Sequence, residues 1–502
     1  MISLVSLDDR PCNWLFPAQL ARIAGWEVVE PPRKVLGWFT EPGDCGAVAA
    51  WLQECLTQRV VVSLDMLCYG GLVASRTPAV GLKQALGRLE TLRALRRSRS
   101  DLVIFAFSTI TRLGTTVTST ADLEVHQLLR AYSELVDSAE RLGEQGARSE
   151  LDTIVQRLDP SVLTGYLEVR RRNHAVNRAA IQLVADGTVD YLVLAQEDAA
   201  PVGIHIPEQL ALRDQVAEFR LADRVAIQPG ADEVGLLLLA RHCVHAAERL
   251  PGIAVDHASD AGADLIPQFE NQPLRQTAGS QIGAAGARVV APDEADAMLF
   301  IHTPVGRQRD VTEAPPDGQS PMLALQAESV VERIQAADVA GHRVGLADVA
   351  YCNGADPELI AALRRTGAAR RLRGFAGWNT SANSIGTVVS QLCVDAAAAC
   401  AVGSPDPEAA RRFLAARFAD DYAYQACIRQ KAFARAQSIG ADPYALGSAY
   451  GDLEEYIVSE LKPLAHAAYS ELVLASEEDP VWELQVSLPW RRLFEAEVEL
   501  TS

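Results

Sequence analysis

Short apolar runs alternate with longer amphipathic stretches along most of this 502-residue chain. The amphipathic stretches, such as VGLKQALGRLETLRALRRS at 80–98, repeat apolar residues at helical spacing and predict helices. The apolar runs do not alternate strictly with polar residues, which is typical of strands buried on both faces of a parallel sheet. In chain order these runs are ISLVSL, VVVSLDML, DLVIFAF, YLVLA, RVAIQP, IAVDH, AMLFIHT, RVGLADVAY and GFAGW.

This alternation predicts an α/β fold with a mainly parallel sheet that helices cover. Eight or nine such units fit a (β/α)8-barrel-like region, with a weaker strand at WEVVE and an inserted subdomain around residues 253–295. Two open doubly wound domains with a cleft between them, dividing near residue 250, fit the same pattern. Counting strands does not separate these two arrangements.

Long helical segments set the expected domain organisation. Residues 120–186 predict a helical insertion within one βα connection, interrupted at LDPSVL. We expect an N-terminal α/β catalytic region over residues 1–250, and a second α/β part over 251–400 that completes the site. Residues 401–502 predict a mainly helical C-terminal region, whose last stretch, VWELQVSLPWRRLFEAEVEL, alternates enough to form a strand pair.

Composition and charge restrict the possible partners. The 46 Lys and Arg residues against 65 Asp and Glu residues give a formal charge of −19, so nucleic acid and anionic membranes are disfavoured partners. No apolar stretch approaches the roughly 20 residues of a membrane span. Nine scattered cysteines without CxxC pairs, and an N-terminus without a basic segment, indicate a cytoplasmic protein. Homo-oligomerisation is left open.

Charged, amide and indole side chains collect where the predicted strands end. Ligands of parallel α/β folds bind at the carboxyl ends of the strands, so these side chains form a candidate site. Taken singly, some have simpler explanations, because acidic and amide residues also start helices and form polar turns. The candidates are Asp8, Asp9, Arg10, Asp65, Arg112, Gln196, Glu197, Asp198, Asp232, Glu233, Trp378, Asn379 and Asn383.

The residue types at these strand ends favour a neutral, hydroxyl-rich ligand. No P-loop, dinucleotide-binding GxGxxG, GxSxG or HExxH motif is present, and we expect no cofactor. Carboxylates and Arg form bidentate hydrogen bonds with hydroxyl groups, and an indole covers the apolar face of a sugar. We therefore expect a glycoside hydrolase that acts on a small oligosaccharide or an amino-sugar glycoside.

Glu197 and Asp198 are the expected catalytic pair, with Glu197 as general acid and Asp198 as partner carboxylate. Neighbouring residues of a regular strand point to opposite faces, so both can reach one ligand only if the chain turns there. One alternative is a metal-dependent hydrolase, with ligands from Asp8, Asp9, Asp65, Asp198, His257 and His302. Another is a non-catalytic protein that binds sugars through the same pocket.

Six phrases carry a family resemblance: SLDDRPCN, SLDMLCYGGLVASR, STITR, QEDAAPVG, GADEVG and GWNTSANSIGT. With these phrases, residues 1–390 resemble a bacterial family catalogued as domain of unknown function 4127, which implies no settled activity. A looser similarity is to retaining β-hexosaminidase barrels, in which an Arg grips the terminal sugar, an acidic pair follows a later strand and a Trp lines the pocket. Arg10, the Glu197–Asp198 pair and Trp378 match those positions, although that family has Asp before Glu.

Overall fold

The structure is a computed structural model, and the chain forms two compact units. It describes residues 1–313, 319–400, 404–474 and 482–501. Unit 1 contains Met1–Trp14, Glu27–Leu238 and Phe269–Asn271. Unit 2 contains Leu15–Trp26, Leu239–Gln268 and Gln272–Ser502.

Unit 1 consists of a parallel sheet, a small hairpin and the helices that connect the strands. Its strands are β1 (Ile2–Val5), β2 (Val28–Val29), β3 (Gly37–Trp38), β4 (Glu41–Pro42), β5 (Arg59–Ser63), β6 (Val103–Ile110), β7 (Tyr191–Gln196) and β8 (Val225–Pro229). The helices are α1 (Pro11–Ile23), α2 (Cys45–Glu54), α3 (Leu64–Tyr69), α4 (Leu72–Ser75), α5 (Leu82–Ser98), α6 (Leu123–Glu140), α7 (Ala147–Arg157), α8 (Pro160–Ala185), α9 (His205–Glu218) and α10 (Val234–Ala246), with 3-10 turns at Arg33–Val35 and Thr120–Asp122. The boundary with unit 2 falls within α1 and α10.

The six strands of the main sheet in unit 1 are ordered β2-β1-β5-β6-β7-β8, and all are parallel. Its centre is apolar on both faces, because Val60, Val61 and Val62 of β5 are completely buried. Burying each such side chain contributes roughly 1.5–3 kcal/mol to the free energy of folding. These continuous apolar strands place every carboxyl end at one edge of the sheet.

Unit 2 repeats this organisation and carries the C-terminal helices. Its strands are β9 (Gly252–His257), β10 (Arg288–Val289), β11 (Ala297–His302), β12 (Arg309–Asp310), β13 (Arg343–Asp348), β14 (Tyr351–Cys352), β15 (Leu372–Ala376), β16 (Glu483–Ser487) and β17 (Glu497–Thr501). Its helices are α11 (Asp260–Ala263), α12 (Leu274–Ala284), α13 (Gln319–Val339), α14 (Pro357–Thr366), α15 (Ser381–Ala398), α16 (Pro407–Arg417), α17 (Arg429–Ser438) and α18 (Tyr450–Leu472). A π-helix spans Phe418–Ile428, and 3-10 turns lie at Pro292–Glu294, Ala368–Arg371, Gly447–Ala449 and Pro489–Arg491.

The five-stranded sheet of unit 2 has the order β10-β9-β11-β13-β15 and is also parallel throughout. The strands β16 and β17 form the antiparallel pair that the alternating C-terminal stretch predicts. Among the helices that the structure describes, none combines the length and apolarity needed to cross a membrane.

The α/β class and the parallel sheets confirm the predicted fold, in the arrangement of two open sheets. The barrel is not formed, because the edge strands β2 and β8 of the first sheet do not pair with each other in the described chain. Residues 253–295, expected as an inserted subdomain, instead contribute β9 and β10 to the second sheet. Strand order depends on pairing between distant segments, which local apolar patterns do not specify.

The connection between β6 and β7 consists of the three helices α6, α7 and α8. Asp159 caps α8, since its carboxylate accepts the backbone N–H of Ser161 at 2.7 Å, and Pro160 occupies the first helical position. This Asp-Pro pair accounts for the interruption at LDPSVL. The helices thus return the chain from β6 to β7, which lies beside it in the sheet.

A buried ion-pair group lies where α16 passes into the π-helix of unit 2. Arg417 is fully buried, and its guanidinium donates to Asp421 at 2.9 Å and to Asp420 at 3.2 Å. The other Asp421 oxygen accepts the backbone N–H of Gly377 at 2.8 Å. The guanidinium also lies 3.8 Å from the ring centroid of Phe16. Arg417 therefore compensates two buried carboxyl groups at once.

We predict that Arg417→Met lowers the free energy of unfolding by about 3–5 kcal/mol at pH 8, because it leaves buried carboxylates without a cation. The matched control is Arg365→Met on the surface. Arg365 pairs with Glu328 at 2.8 Å while more than half of each side chain is exposed, and its loss should cost no more than about 1 kcal/mol. Urea denaturation of both variants measures the difference. If both variants lose the same free energy of unfolding, Arg417 does not stabilise the buried carboxyl groups of Asp420 and Asp421.

Candidate functional site

Eight polar side chains meet at the carboxyl edge of the sheet in unit 1, and we call them the strand-end cluster. They lie on the segments that follow β1, β5, β6, β7 and β8. Buried ion pairs and hydrogen bonds connect them, and Glu197 interacts electrostatically with Asp232 across the group. The members are Asp8, Arg10, Asn13, Arg76, Arg112, Glu197, Asp198 and Asp232.

Arg10 links the segment after β1 to the segment after β8. Its guanidinium donates to Asp232 at 2.6 and 3.2 Å and to Asp8 at 2.7, 3.0 and 3.1 Å. The amide of Asn13 donates to both carboxylates, at 2.9 Å to Asp8 and 3.1 Å to Asp232. Strands β1 and β8 are four strand spacings apart, or roughly 19 Å at about 4.8 Å each. The two loops must therefore bend toward each other over the carboxyl edge.

Glu197 and Asp198 follow β7, and both reach the same guanidinium. Arg112 lies 3.8 Å from Glu197 and forms a short ion pair with Asp198, while Arg76 forms a short ion pair with Glu197. Asp198 has a φ of 33°, so the strand geometry ends there and its side chain need not point away from that of Glu197. The two consecutive carboxyl groups thus share one side of the chain.

Solvent reaches this cluster at one end. Asp8, Arg10 and Glu197 are at most 7% exposed, whereas the side chains of Arg112 and Asp198 are 19% and 22% exposed. Burial raises the pKa of Glu197, although Arg76 and Arg112 oppose the shift. A buried Glu197 with a raised pKa therefore lies beside a more exposed Asp198.

Asp65 has a different environment from the rest of the predicted site. It is 1% exposed, and its carboxylate accepts the backbone N–H and the hydroxyl of Thr109, each at 2.8 Å. Burial raises its pKa to about 6, because it outweighs the hydrogen bonds from Thr109. Asp65 therefore connects the ends of β5 and β6 beneath the cluster.

The other predicted residues of unit 1 have local partners. The guanidinium of Arg33 lies 4.0 Å from the carboxylate of Asp9. Gln196 donates to the backbone carbonyl of Glu197 at 2.8 Å and accepts from Gln209 at 2.9 Å. Glu233 directly precedes α10, and its carboxylate folds back to accept the N–H of Ala231 at 3.0 Å. Gly230 permits this fold-back, since its φ is 121° and a Cβ there would overlap the Glu233 carboxyl group.

Trp378, Asn379 and Asn383 belong to unit 2. The indole N–H of Trp378 donates to Thr387 at 3.2 Å, and its ring packs edge-on against Phe16 at 6.0 Å. Asn383 accepts the Thr380 hydroxyl at 2.8 Å in a capping box, so it caps α15. Asn379 has a φ of 51°, and its carbonyl accepts the N–H of Asn353 at 2.8 Å.

The family described as "Protein of unknown function (DUF4127)" matches residues 2–499 of this chain. The chain belongs to this family. The resemblance predicted from the sequence phrases is thereby confirmed over nearly the whole chain. Comparison of this DUF4127 protein with curated proteins and with solved structures gave no match.

Asn13 and Glu30 are polar residues near this edge of the DUF4127 protein that sequence reasoning did not select. Asn13, in the first turn of α1, bridges two carboxylates of the cluster. Glu30 follows the short edge strand β2 and accepts the Ser6 hydroxyl at 2.7 Å, and burial raises its pKa to about 8. Glu30 directly follows the predicted strand WEVV, so its position at a strand end could have identified it as a candidate site residue.

The residues of the metal hypothesis do not converge in the described ranges. There, no three His, Cys, Asp or Glu side chains lie close enough together to hold a metal ion. His302 is fully buried and hydrogen-bonds Asp356 at 2.8 Å. His257 and His302 both belong to unit 2, whereas the four Asp residues of the hypothesis belong to unit 1.

We predict that Asp65→Asn changes how the stability of this DUF4127 protein depends on pH. The pKa of Asp65 in the folded state, about 6, exceeds the ordinary value of 3.8, so the native state holds its proton more tightly. Its contribution to the free energy of unfolding therefore falls between about pH 4 and pH 6, by about 3 kcal/mol in total. The stability difference between wild type and Asp65→Asn should decline over this range in urea denaturation.

The comparison variant for this prediction is Asp122→Asn. Hydrogen bonds from Thr118 hold the pKa of Asp122 below its usual range. The stability contributed by Asp122 is therefore present above about pH 4 and is lost only on further acidification. A wild-type advantage over Asp65→Asn that grows with pH would contradict the assignment of a raised pKa to Asp65.

Proposed function

We propose that this protein is a glycoside hydrolase that acts on a small oligosaccharide or an amino-sugar glycoside at the strand-end cluster. The observation that carries the proposal is the shared position of Glu197 and Asp198, whose side chains both contact Arg112. Hydrolysis of a glycoside needs two carboxyl groups that address one bond. The turn at Asp198 allows both side chains to lie on the same side of the chain, whereas neighbouring side chains of a regular strand point to opposite faces.

The surroundings of the two carboxyl groups support different roles. Glu197 is buried and its pKa is raised, which suits a general acid that protonates the oxygen of the leaving sugar. Asp198 is more exposed and pairs with Arg112, so it suits the partner carboxyl group that acts as nucleophile or base. Environments that separate two neighbouring carboxyl groups in this way are typical of acid and base pairs.

The charge of the cluster favours a neutral ligand. Three guanidinium groups, from Arg10, Arg76 and Arg112, face four carboxyl groups, so no excess of positive charge is available for a phosphate or another anion. Donors and acceptors lie side by side, as sugar hydroxyls require because they donate and accept at once. In this proposal Asp8, Arg10 and Asp232 hold the ring hydroxyls.

The similarity to retaining β-hexosaminidases adds support at two positions. Arg10 follows the first strand of its sheet, and the acidic pair follows a later strand at the same edge. The open sheets and the order of Glu before Asp differ from that family. The similarity therefore supports the placement of the sugar-binding Arg and the acidic pair rather than the detailed mechanism.

We predict that wild type hydrolyses at least one member of a panel of p-nitrophenyl α- and β-glycosides that includes 2-acetamido sugars. Glu197→Gln and Asp198→Asn should each lower kcat/KM by about 10²–10⁴-fold, because each removes one carboxyl group of the acid and base pair. Loss of rate as the pH rises through the raised pKa of Glu197 should disappear with Glu197→Gln. Release of p-nitrophenol measures the activity of wild type and of both variants.

The matched control is Asp190→Asn, which changes a carboxylate at the opposite end of the same strand. Asp190 directly precedes β7 and pairs with Arg96 at 2.6 Å. Activity should survive this change and should be insensitive to EDTA. Saturable sugar binding without turnover would instead identify a sugar-binding protein, and loss of activity with EDTA that a divalent ion restores would identify a metal-dependent hydrolase.

A further inference from the structure

His126 lies in the first turn of α6, on the helical connection between β6 and β7. The loop before it is held by a single carboxylate, because one oxygen of Asp122 accepts from the backbone N–H and hydroxyl of Thr118 at 2.8 and 2.6 Å, and from the N–H of Ser119 at 2.9 Å. These bonds position the start of α6, and with it His126, before any ligand binds.

The hydrogen bond of the imidazole defines its tautomer. Nδ1 of His126 lies 2.7 Å from the carbonyl oxygen of Thr115. A carbonyl oxygen can only accept, so Nδ1 carries the proton. Nε2 of the neutral ring then holds a lone pair, and the structure gives it no hydrogen-bond partner among the described residues.

Gly114 provides the space that the imidazole occupies. A Cβ at this position would lie 2.5 Å from Cε1 and 2.6 Å from Nδ1 of His126. The ring therefore packs directly on the backbone two residues after Arg112. The loop from Arg112 to Thr115 both carries a member of the cluster and anchors the imidazole.

His126 interacts electrostatically with the exposed end of the strand-end cluster. Burial lowers its pKa, and Arg112 lowers it further, whereas Thr115 and Asp198 oppose the shift. Arg130 of the same helix also disfavours the charged form. The neutral form of the ring is thus favoured, and the ring interacts electrostatically with the two cluster members that solvent reaches.

We propose that His126 contacts the substrate of this site, with Nε2 accepting a hydrogen bond from a hydroxyl group of the bound glycoside. This inference rests on the proposed function, which identifies the ligand as a glycoside. It adds that the helical connection between β6 and β7 contributes to substrate recognition. Apart from Asn13, the cluster consists of carboxyl and guanidinium groups, so a neutral acceptor on the helical connection would select for a hydroxyl at one ring position.

Two substitutions separate the anchoring atom of His126 from its accepting atom. Asn places an amide N–H near the position of Nδ1, so His126→Asn keeps the bond to Thr115 but removes the acceptor. Gln reaches further and places a carbonyl oxygen near the position of Nε2, so His126→Gln restores the acceptor. We expect glycoside binding to weaken by about 3–10-fold with Asn, the value of one neutral hydrogen bond, and to recover with Gln.

The control for these variants is His174→Asn. His174 lies on α8 of the same helical connection, and its electrostatic partners are Glu208, Arg178 and Arg170 rather than cluster members. This substitution should leave glycoside affinity unchanged. A loss equal to that of His126→Asn would show that any histidine change in the connection weakens binding, and would overturn the inference.

The first measurement is the side-chain ¹⁵N spectrum of the full chain, in which the signal missing from His126→Asn identifies His126. We expect a neutral ring protonated at Nδ1, and an Nε2 signal that moves when a p-nitrophenyl glycoside of the panel binds. A glycoside that is turned over while this signal stays unmoved would overturn the inference and leave the hydrolase proposal standing. If the Nε2 signal moves on binding but no glycoside is turned over, the inference about His126 stands and the hydrolase proposal is overturned. A wild type that neither binds nor hydrolyses any glycoside of the panel would overturn both.

Discussion

A charge can be buried at the end of a strand only when an opposite charge meets it there, and in unit 1 Arg10 meets this requirement. Its guanidinium joins Asp8 to Asp232, which lies 222 residues after Arg10 along the chain, and all three side chains are at most 7% exposed. Removing one partner of such a group leaves an uncompensated buried charge, which typically costs about 3–5 kcal/mol. The loops after β1 and β8 are therefore held together by charge pairing, and the rest of the site lies between them.

Unit 2 also has a group of paired polar side chains buried at its strand ends, but solvent does not reach this group. At its strand ends His302 bonds Asp356, and the backbone N–H of Asp356 donates to Asp348 at 2.6 Å. All three side chains are at most 1% exposed, and burial raises the pKa of Asp348 to about 7. The group is closed to solvent and its contacts connect β11, β13 and α14. We attribute a structural role to it, whereas the partly exposed Arg112 and Asp198 make the cluster of unit 1 accessible to a ligand.

The helical connection between β6 and β7 joins two strands whose ends both contribute to the cluster. It returns the chain to β7, whose end supplies Glu197 and Asp198, and its first turn carries His126, which interacts electrostatically with Arg112. The position of His126 depends on two local features. The Asp122 carboxylate fixes the loop before α6, and Gly114, which has no side chain, leaves space for the imidazole. The chain from β6 to the end of β7 therefore supplies a guanidinium, an imidazole and two carboxyl groups that interact electrostatically.

Local patterns in the sequence determined the elements and the polar character of the strand ends. Apolar runs and helical spacing predicted the strands, the helices and the parallel sheets, since side-chain burial follows these periods within a single segment. Only the tertiary structure decided that the sheets are open, because strand order depends on pairing between distant segments. It also decided that Glu197 and Asp198 share a side, since the φ of 33° at Asp198 depends on its contacts with Arg112 and Leu113. The bridge from Arg10 to Asp232 and the placement of Trp378 and Asn383 in unit 2 are likewise properties of the fold, because no local pattern encodes a contact between residues so far apart.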